Sequence, residues 1–326
     1  MSKAEPCEQK VFSFSLPFSF IHKRKRKIRN LRRKKREEAV RTAIITDSES
    51  GITQAEARQW GVWVVPMPII IDNEIHYEGV GLSAEEMFRY MKAGRSVSSS
   101  QPAPDDLLKL WDEVLGEGYD ELLYIPMTSG LSGSCQTAAA LAAGYGGRVQ
   151  VADNHQISVP QKNAVRDALG LIRAGYTAAQ ARERLEEAGG DTLIYIGVDT
   201  LEYLKKGGRI TPAAAAMGTV LGIKPLLAIR GEKLDAFAKV RGTKQCRARL
   251  MEAMVKSVSE YRARGLDIRI DASGSFETAE EQAEWCALAA QTFPGEDIHF
   301  DPLALSIALH TGPGAFAMGI SRKILP

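Results

Sequence analysis

Hydrophobic positions in this chain recur in short blocks, and from residue 42 onward the blocks alternate between a strand-like and a helix-like period. Residues 42–46 form a brief apolar run that opens into Asp47 and Ser48, the pattern of a buried strand whose carboxyl end meets a polar loop. Further β-rich stretches cover 62–71, 121–127 and 148–152. Between them the spacing predicts helices over 83–93, 105–115 and 133–143, with Ser83 and either Ser132 or Gly133 at the capping positions. Such alternation predicts an α/β domain, and open α/β sheets place ligands at the carboxyl ends of their strands.

Helical patterns at 161–174 and 177–189 follow, with Thr177 as N-cap and Gly189-Gly190 as a stop, and read as a hinge. A strand at 192–198, a helix at 212–217 with Pro212 in its first turn, and a hairpin around Arg230-Gly231-Glu232 open a second α/β unit. A long helix at 244–264 and elements at 266–271, 279–292, 298–302 and 316–320 complete it, with His310 in the loop before the last. The expected organisation is a basic, disordered extension over 1–40, an N-terminal α/β domain over 41–165 and a C-terminal α/β domain over 166–326.

Charge divides the chain sharply. Residues 1–41 hold 14 Lys/Arg against 4 Asp/Glu, which leaves 28 against 36 in the remainder, a balance of −8. An acidic body argues against nucleic-acid binding by the folded part, because phosphate affinity needs a basic surface. The basic run at 22–36 repels itself and orders only against a partner. Two readings of this leader stand: a solvated extension, or a transient contact with anionic lipid or nucleic acid through an apolar tip at 11–21 and the basic run behind it. No apolar run reaches the roughly 20 residues that span a bilayer, and the basic run follows the apolar one, the wrong order for a secretory signal. Four scattered cysteines and five histidines offer no metal-ligand spacing. Reduced thiols, a cytoplasmic location and no metal or other cofactor are the expectation.

Three polar loops carry the candidate chemistry: Ser98-Ser99-Ser100-Gln101-Pro102, Thr128-Ser129-Gly130-Leu131-Ser132-Gly133-Ser134, and His310-Thr311-Gly312-Pro313-Gly314. Hydroxyls donate hydrogen bonds, glycines let backbone N–H groups approach a ligand, and a helix starting after the loop adds partial positive charge. Should the loops converge, they make a carboxylate or phosphate site, and Arg209 in Lys205-Lys206-Gly207-Gly208-Arg209 would supply a two-pronged cation. Each loop alone is equally well a capped helix or a structural turn. The P-loop pattern is absent, and Gly130-Leu131-Ser132-Gly133-Ser134 is not a nucleophile elbow, because its second glycine comes one position early. A serine hydrolase acting on an acyl ester or thioester through Ser132, His310 and Asp47 remains the alternative.

Taken together the segments resemble the DegV family of bacterial lipid-binding proteins, which includes the FakB-type fatty-acid-binding subunit of the bacterial fatty acid kinase. Seven ordered motifs carry the likeness: Asp47-Ser48, Ser99 to Pro102, Ser129 to Ser134, Leu204 to Ile210, Ile223-Lys224-Pro225, Lys239 to Gly242, and His310 to Gly314. The resemblance implies a two-domain DegV-like α/β fold with a ligand tunnel at the junction. It further implies one long-chain fatty acid as ligand, whose carboxylate is held by Ser99 or Ser100, by Ser129 or Ser132 with the Gly130 and Gly133 amides, and by His310, with Arg209 in support. By the same resemblance the chain is no enzyme: it presents the acyl carboxylate to a separate ATP-dependent kinase subunit, which makes acyl phosphate for phospholipid synthesis. Phe88, Met91, 213–217, Leu221 and Ile223 are tunnel candidates or ordinary core. Ser99, Ser134, Cys135, Asn154 and the leader depart from the family pattern.

Overall fold

The computed structural model describes residues 40–217 and 222–324, so the leader and Leu221 lie outside the described residues. Thirteen strands in that region form three sheets. The first is parallel, in the order β2 (Trp63–Val65), β1 (Thr42–Asp47), β6 (Glu121–Ile125), β7 (Val149–Val151). Its strands are apolar on both faces because both are covered. Ala43, Ile45, Leu122 and Tyr124 pack on one side with Trp111 and Ala138 of the helices Pro104–Gly116 and Ser134–Ala142. On the other side, Ile44, Leu123 and Ile125 meet Val165, Leu171 and Leu185 of the helices Val159–Arg173 and Ala178–Gly189.

The second sheet is antiparallel and small, in the order β4 (Glu74–Tyr77), β3 (Pro68–Ile71), β5 (Val97–Ser99). The stretch 62–71, which reads as one strand, is therefore two. Pro66 and Pro68 donate no backbone hydrogen bond and fix φ, so the chain leaves the parallel sheet at Val65 and starts a new one at Pro68. Asp72 and Asn73 both take positive φ, the geometry of a tight hairpin turn. The segment 98–100, read as an extended loop, donates its first two residues to β5 and pairs with β3.

The third sheet has six strands, in the order β10 (Asp235–Arg241), β9 (Ile223–Ile229), β8 (Leu193–Gly197), β13 (Phe316–Arg322), β11 (Ile268–Gly274), β12 (His299–Pro302). All neighbours are antiparallel except β11 and β12. One face packs on the helices Thr243–Ala263 and Ala279–Thr292 through Leu250, Met254, Trp285 and Phe316. The opposite face presents Ile194, Ile196, Leu227, Ile229 and Ala317 to the cavity-bearing core.

Local signals hold well at helix starts. Ser83 and Thr177 each close a capping box, with Glu86 and Gln180, and Gly133 occupies the N-cap position of its helix. The Lys205-Lys206-Gly207 segment closes the helix Glu202–Gly207, which Gly208 ends in the left-handed conformation. Likewise His310 is not in a loop but in the last turn of the helix Leu305–Thr311. Seven residues are too few for a periodic pattern to be read. Among the described residues no helix is long and apolar enough to cross a membrane.

Gly189 closes the helix Ala178–Gly189 directly against the Asn154 backbone, where an added Cβ would fall 3.2 Å from Cα of Asn154 and closer still to its carbonyl. Backbone cannot move aside as a side chain can. Gly189→Ala is expected to destabilise the fold by about 1–3 kcal/mol, read as an earlier denaturant midpoint at unchanged slope. An unchanged midpoint would show that the helix and the loop are not in contact.

Candidate functional site

A cavity opens on the inner face of the six-stranded sheet, and with its solvent-open mouth it encloses about 860 Å³ of atom-free space. Apolar side chains from several elements line it, among them Met67, Met127, Leu131, Ile196, Ile229 and Met318. Of the tunnel candidates, Phe88, Met91, Ala214 and Met217 belong to the core around the cavity and not to its lining.

One polar cluster on that wall joins two distant segments, while Asp271 and Ser273 of β11 also reach the lining. Ser99 closes β5 and His310 sits 211 residues later, yet the serine Oγ and the imidazole Nε2 are 3.0 Å apart. Ser100, exposed beside them, passes its N–H to the Pro68 carbonyl at 3.2 Å, which continues the pairing of β5 with β3. Ser132 and Arg209 also line the cavity. Gly207 packs so closely on the His310 ring that any side chain there would collide with it. Arg209 gives one guanidinium hydrogen to the Gly207 carbonyl and keeps the rest of its fork.

The loop 128–134 divides into two parts. Ser132 faces the cavity, but Ser129 donates its N–H to Asp153 Oδ1 at 3.2 Å and Gly130 donates its own to Thr128 Oγ1 at 3.2 Å. Thr128 Oγ1 in turn donates to the Gly231 carbonyl, and Gly130 leaves no room for a Cβ against Gly231 and Glu232. That part of the loop is a staple to the hairpin turn at 230–232. Gly133 is exposed, near Gln101 Oε1. The structure thus gathers Ser99, Ser100, Ser132, Arg209 and His310 on the cavity and leaves Ser129, Gly130 and Gly133 off its lining. The Ser132, His310, Asp47 constellation is not assembled: His310 Nε2 faces Ser99, Ser132 Oγ accepts from the Ser134 amide at 3.2 Å, and Asp47 takes Met127 N–H and Gln161 Nε2, both at 2.8 Å.

Two acidic residues that sequence reasoning passed over sit behind the polar end. Glu78 is buried and accepts from Ser48 Oγ at 2.5 Å, Ser306 Oγ at 2.8 Å and the amides of Leu305 and Ser306. Its carboxylate therefore caps the helix whose last turn carries His310, where negative charge also complements the helix dipole. Ser48 Oγ accepts from Met67 N–H at 3.0 Å, so the same carboxylate reaches the crossover between the two smaller sheets. Glu49, in the 3-10 turn Ser48–Ser50, lines the cavity itself. A lone Glu after an exposed strand and a Glu in a polar loop both read as solvated, so neither carried a signal.

Burial dominates the electrostatics. It pushes the Asp47 carboxyl up to about 6 against the hydrogen bonds that favour its charge, raises Glu78, and holds Glu49 well above the ordinary carboxylate range, with Asp47 and Glu78 adding repulsion and Arg209 opposing it. His310 moves the other way, down to about 4, first through burial and then through the Arg209 charge. The ring is neutral at physiological pH and can donate one hydrogen bond and accept another. Among the described residues no group of metal-ligating side chains assembles.

An apolar cavity lined by a few polar groups has the makeup of a small-molecule binding site. The profile of the DegV family of uncharacterised proteins matches residues 41–323, and the chain belongs to that family. A DegV domain-containing protein of Deinococcus radiodurans is 32% identical over 279 residues, 85% of this chain and 97% of its own length. A solved DegV family protein from Thermus thermophilus, described by its fatty acid binding, superposes with a TM-score of 0.77 at 30% identity, covering 87% of this chain and all of that one. A fatty acid binding DegV family protein from Streptococcus agalactiae gives 0.77 at 28% identity, covering 88% of this chain and 100% of its own.

His310 is expected to titrate at about 4 instead of its ordinary 6.5. Its folded value lies below its unfolded one, so the neutral ring's contribution to stability is full above 6.5 and is lost as pH falls from 6.5 through about 4. Following the ring resonances of His310 by NMR checks this; a midpoint near 6.5 would mean the ring is solvated.

Proposed function

We propose that this protein binds one long-chain fatty acid in the cavity and presents its carboxylate at the Ser99–His310 end to a partner ATP-dependent kinase, which forms the acyl phosphate. The observation that supports the reading most is the cavity itself, a largely apolar chamber with the Ser99–His310 pair in its wall. The fatty acid binding described for the solved Thermus and Streptococcus relatives supports the ligand class.

The physics fits an acyl chain. Each buried methylene contributes about 0.8 kcal/mol, so ten of them give roughly 8 kcal/mol before the losses of association. The apolar wall supplies affinity and the polar end supplies orientation. With its proton on Nε2, neutral His310 donates to Ser99 Oγ and frees the serine proton for the acyl carboxylate. Ser100 and Ser132 add hydroxyl donors at the same end, and the Arg209 guanidinium balances the negative charge. These five residues are the proposed carboxylate contacts.

Kinase presentation requires the carboxylate to lie near the mouth, and exposed Ser100 marks the solvent side of the polar end. The test pairs the protein with an ATP-dependent fatty acid kinase subunit and traps acyl phosphate with hydroxylamine. His310→Ala combined with Ser132→Ala is expected to reduce hydroxamate by an order of magnitude or more while the thermal melt still shows a folded protein. Full acyl-phosphate formation by that double variant would overturn the proposed contacts. Turnover of model acyl esters that vanishes in Ser132→Ala would instead establish the hydrolase reading.

A further inference from the structure

Glu49 is the one acid of the buried trio whose bonding is incomplete. Asp47 is occupied by the Met127 amide and Gln161, and Glu78 by four donors from Ser48, Leu305 and Ser306. Glu49 is only 4% exposed, it stands in the cavity wall, and its Oε2 has no hydrogen-bond partner. A buried polar atom without a partner in a native fold calls for a ligand or an explanation. Ser306, the hydroxyl beside it, gives its proton to Glu78 at 2.8 Å and has none left for Glu49. Burial and the two neighbouring carboxylates hold the Glu49 carboxyl well above the ordinary range, and in its neutral form that group has one O–H donor and a spare acceptor oxygen.

Position follows from the helix Leu305–Thr311. Ser306 and His310 both line the cavity and are four residues apart, about 6 Å along the axis. Glu49, beside Ser306, is therefore about one helical turn from the imidazole. Arg209 lines the same cavity as both residues. An acyl chain that leaves Ser99 and His310 along this helix passes Glu49 within its first few carbons.

We propose that Glu49 selects an acyl ligand bearing an oxygen substituent close to its carboxyl end, a hydroxy fatty acid. A plain saturated chain would press methylene against an unpaired carboxyl, whereas a hydroxyl there accepts the Glu49 proton and donates its own. This rests on the acyl-ligand reading above. A site built to pair a hydroxyl discriminates strongly against the analogue that lacks it.

The experiment titrates delipidated protein with hexadecanoic acid and with its 3-hydroxy, 5-hydroxy and 12-hydroxy derivatives, for wild type, Glu49→Gln and Glu49→Met. The expected result is at least tenfold tighter binding of the 3- or 5-hydroxy acid than of hexadecanoic acid by the wild type, with no such gain for the 12-hydroxy acid. Glu49→Gln, which keeps a donor and an acceptor, retains the preference. Glu49→Met removes it and binds hexadecanoic acid at least as tightly as wild type does. Equal affinities in the wild type, or a preference that survives in Glu49→Met, overturns the assignment while leaving fatty acid binding intact. Binding of none of the four acids overturns the acyl-ligand reading itself and the assignment with it.

Discussion

The carboxylate of Glu78 is the contact on which the geometry of the site depends. It collects two hydroxyls and two helix-end amides from Ser48, Leu305 and Ser306, residues separated by most of the chain. A carboxyl in a dry interior needs that many donors, and their hydrogens have no other acceptor. Because one of its partners is the first turn of the helix Leu305–Thr311, Glu78 fixes where the last turn ends. That is where His310 meets Ser99. Removing the carboxylate would leave four donors without an acceptor at once, which is why a residue outside the cavity lining governs the helix that carries His310.

The cavity combines strong desolvation with few fixed charges. Burial favours the neutral His310 ring and raises the Glu49 carboxyl, and Arg209 is the cation of the lining that opposes an incoming carboxylate's charge. Neutral groups cost less to bury than ions and need less reorganisation when a ligand enters. Orientation then comes from hydrogen bonds made by rigid elements. Ser99 is paired into β5, Gly207 is packed on the imidazole, and the loop around Ser132 is anchored through Thr128 to the turn at 230–232.

Much of this was legible in the sequence where the signal was local. The parallel strands declared themselves as apolar runs, and Ser83 and Thr177 marked helix starts through capping boxes that need only four residues. Five of the eight candidate site residues, four from the polar loops and Arg209, line one cavity. What escaped was non-local. The division of 62–71 between two sheets turns on Pro66 and Pro68 and on which neighbours offer hydrogen bonds. The amides of Ser129 and Gly130 face Asp153 and Thr128, partners that spacing alone does not favour over a ligand. Glu49 and Glu78 look like solvated acids until the fold buries them, and the helix around His310 is too short to show a period.

The most direct test of the central claim is native mass spectrometry of the full chain as purified from cells, followed by denaturation. The account predicts one fatty acid per chain that leaves when the fold is lost, and its absence when the same protein is stripped of lipid beforehand. A chain that carries no acyl ligand, and takes none up when incubated with long-chain fatty acids, would contradict it.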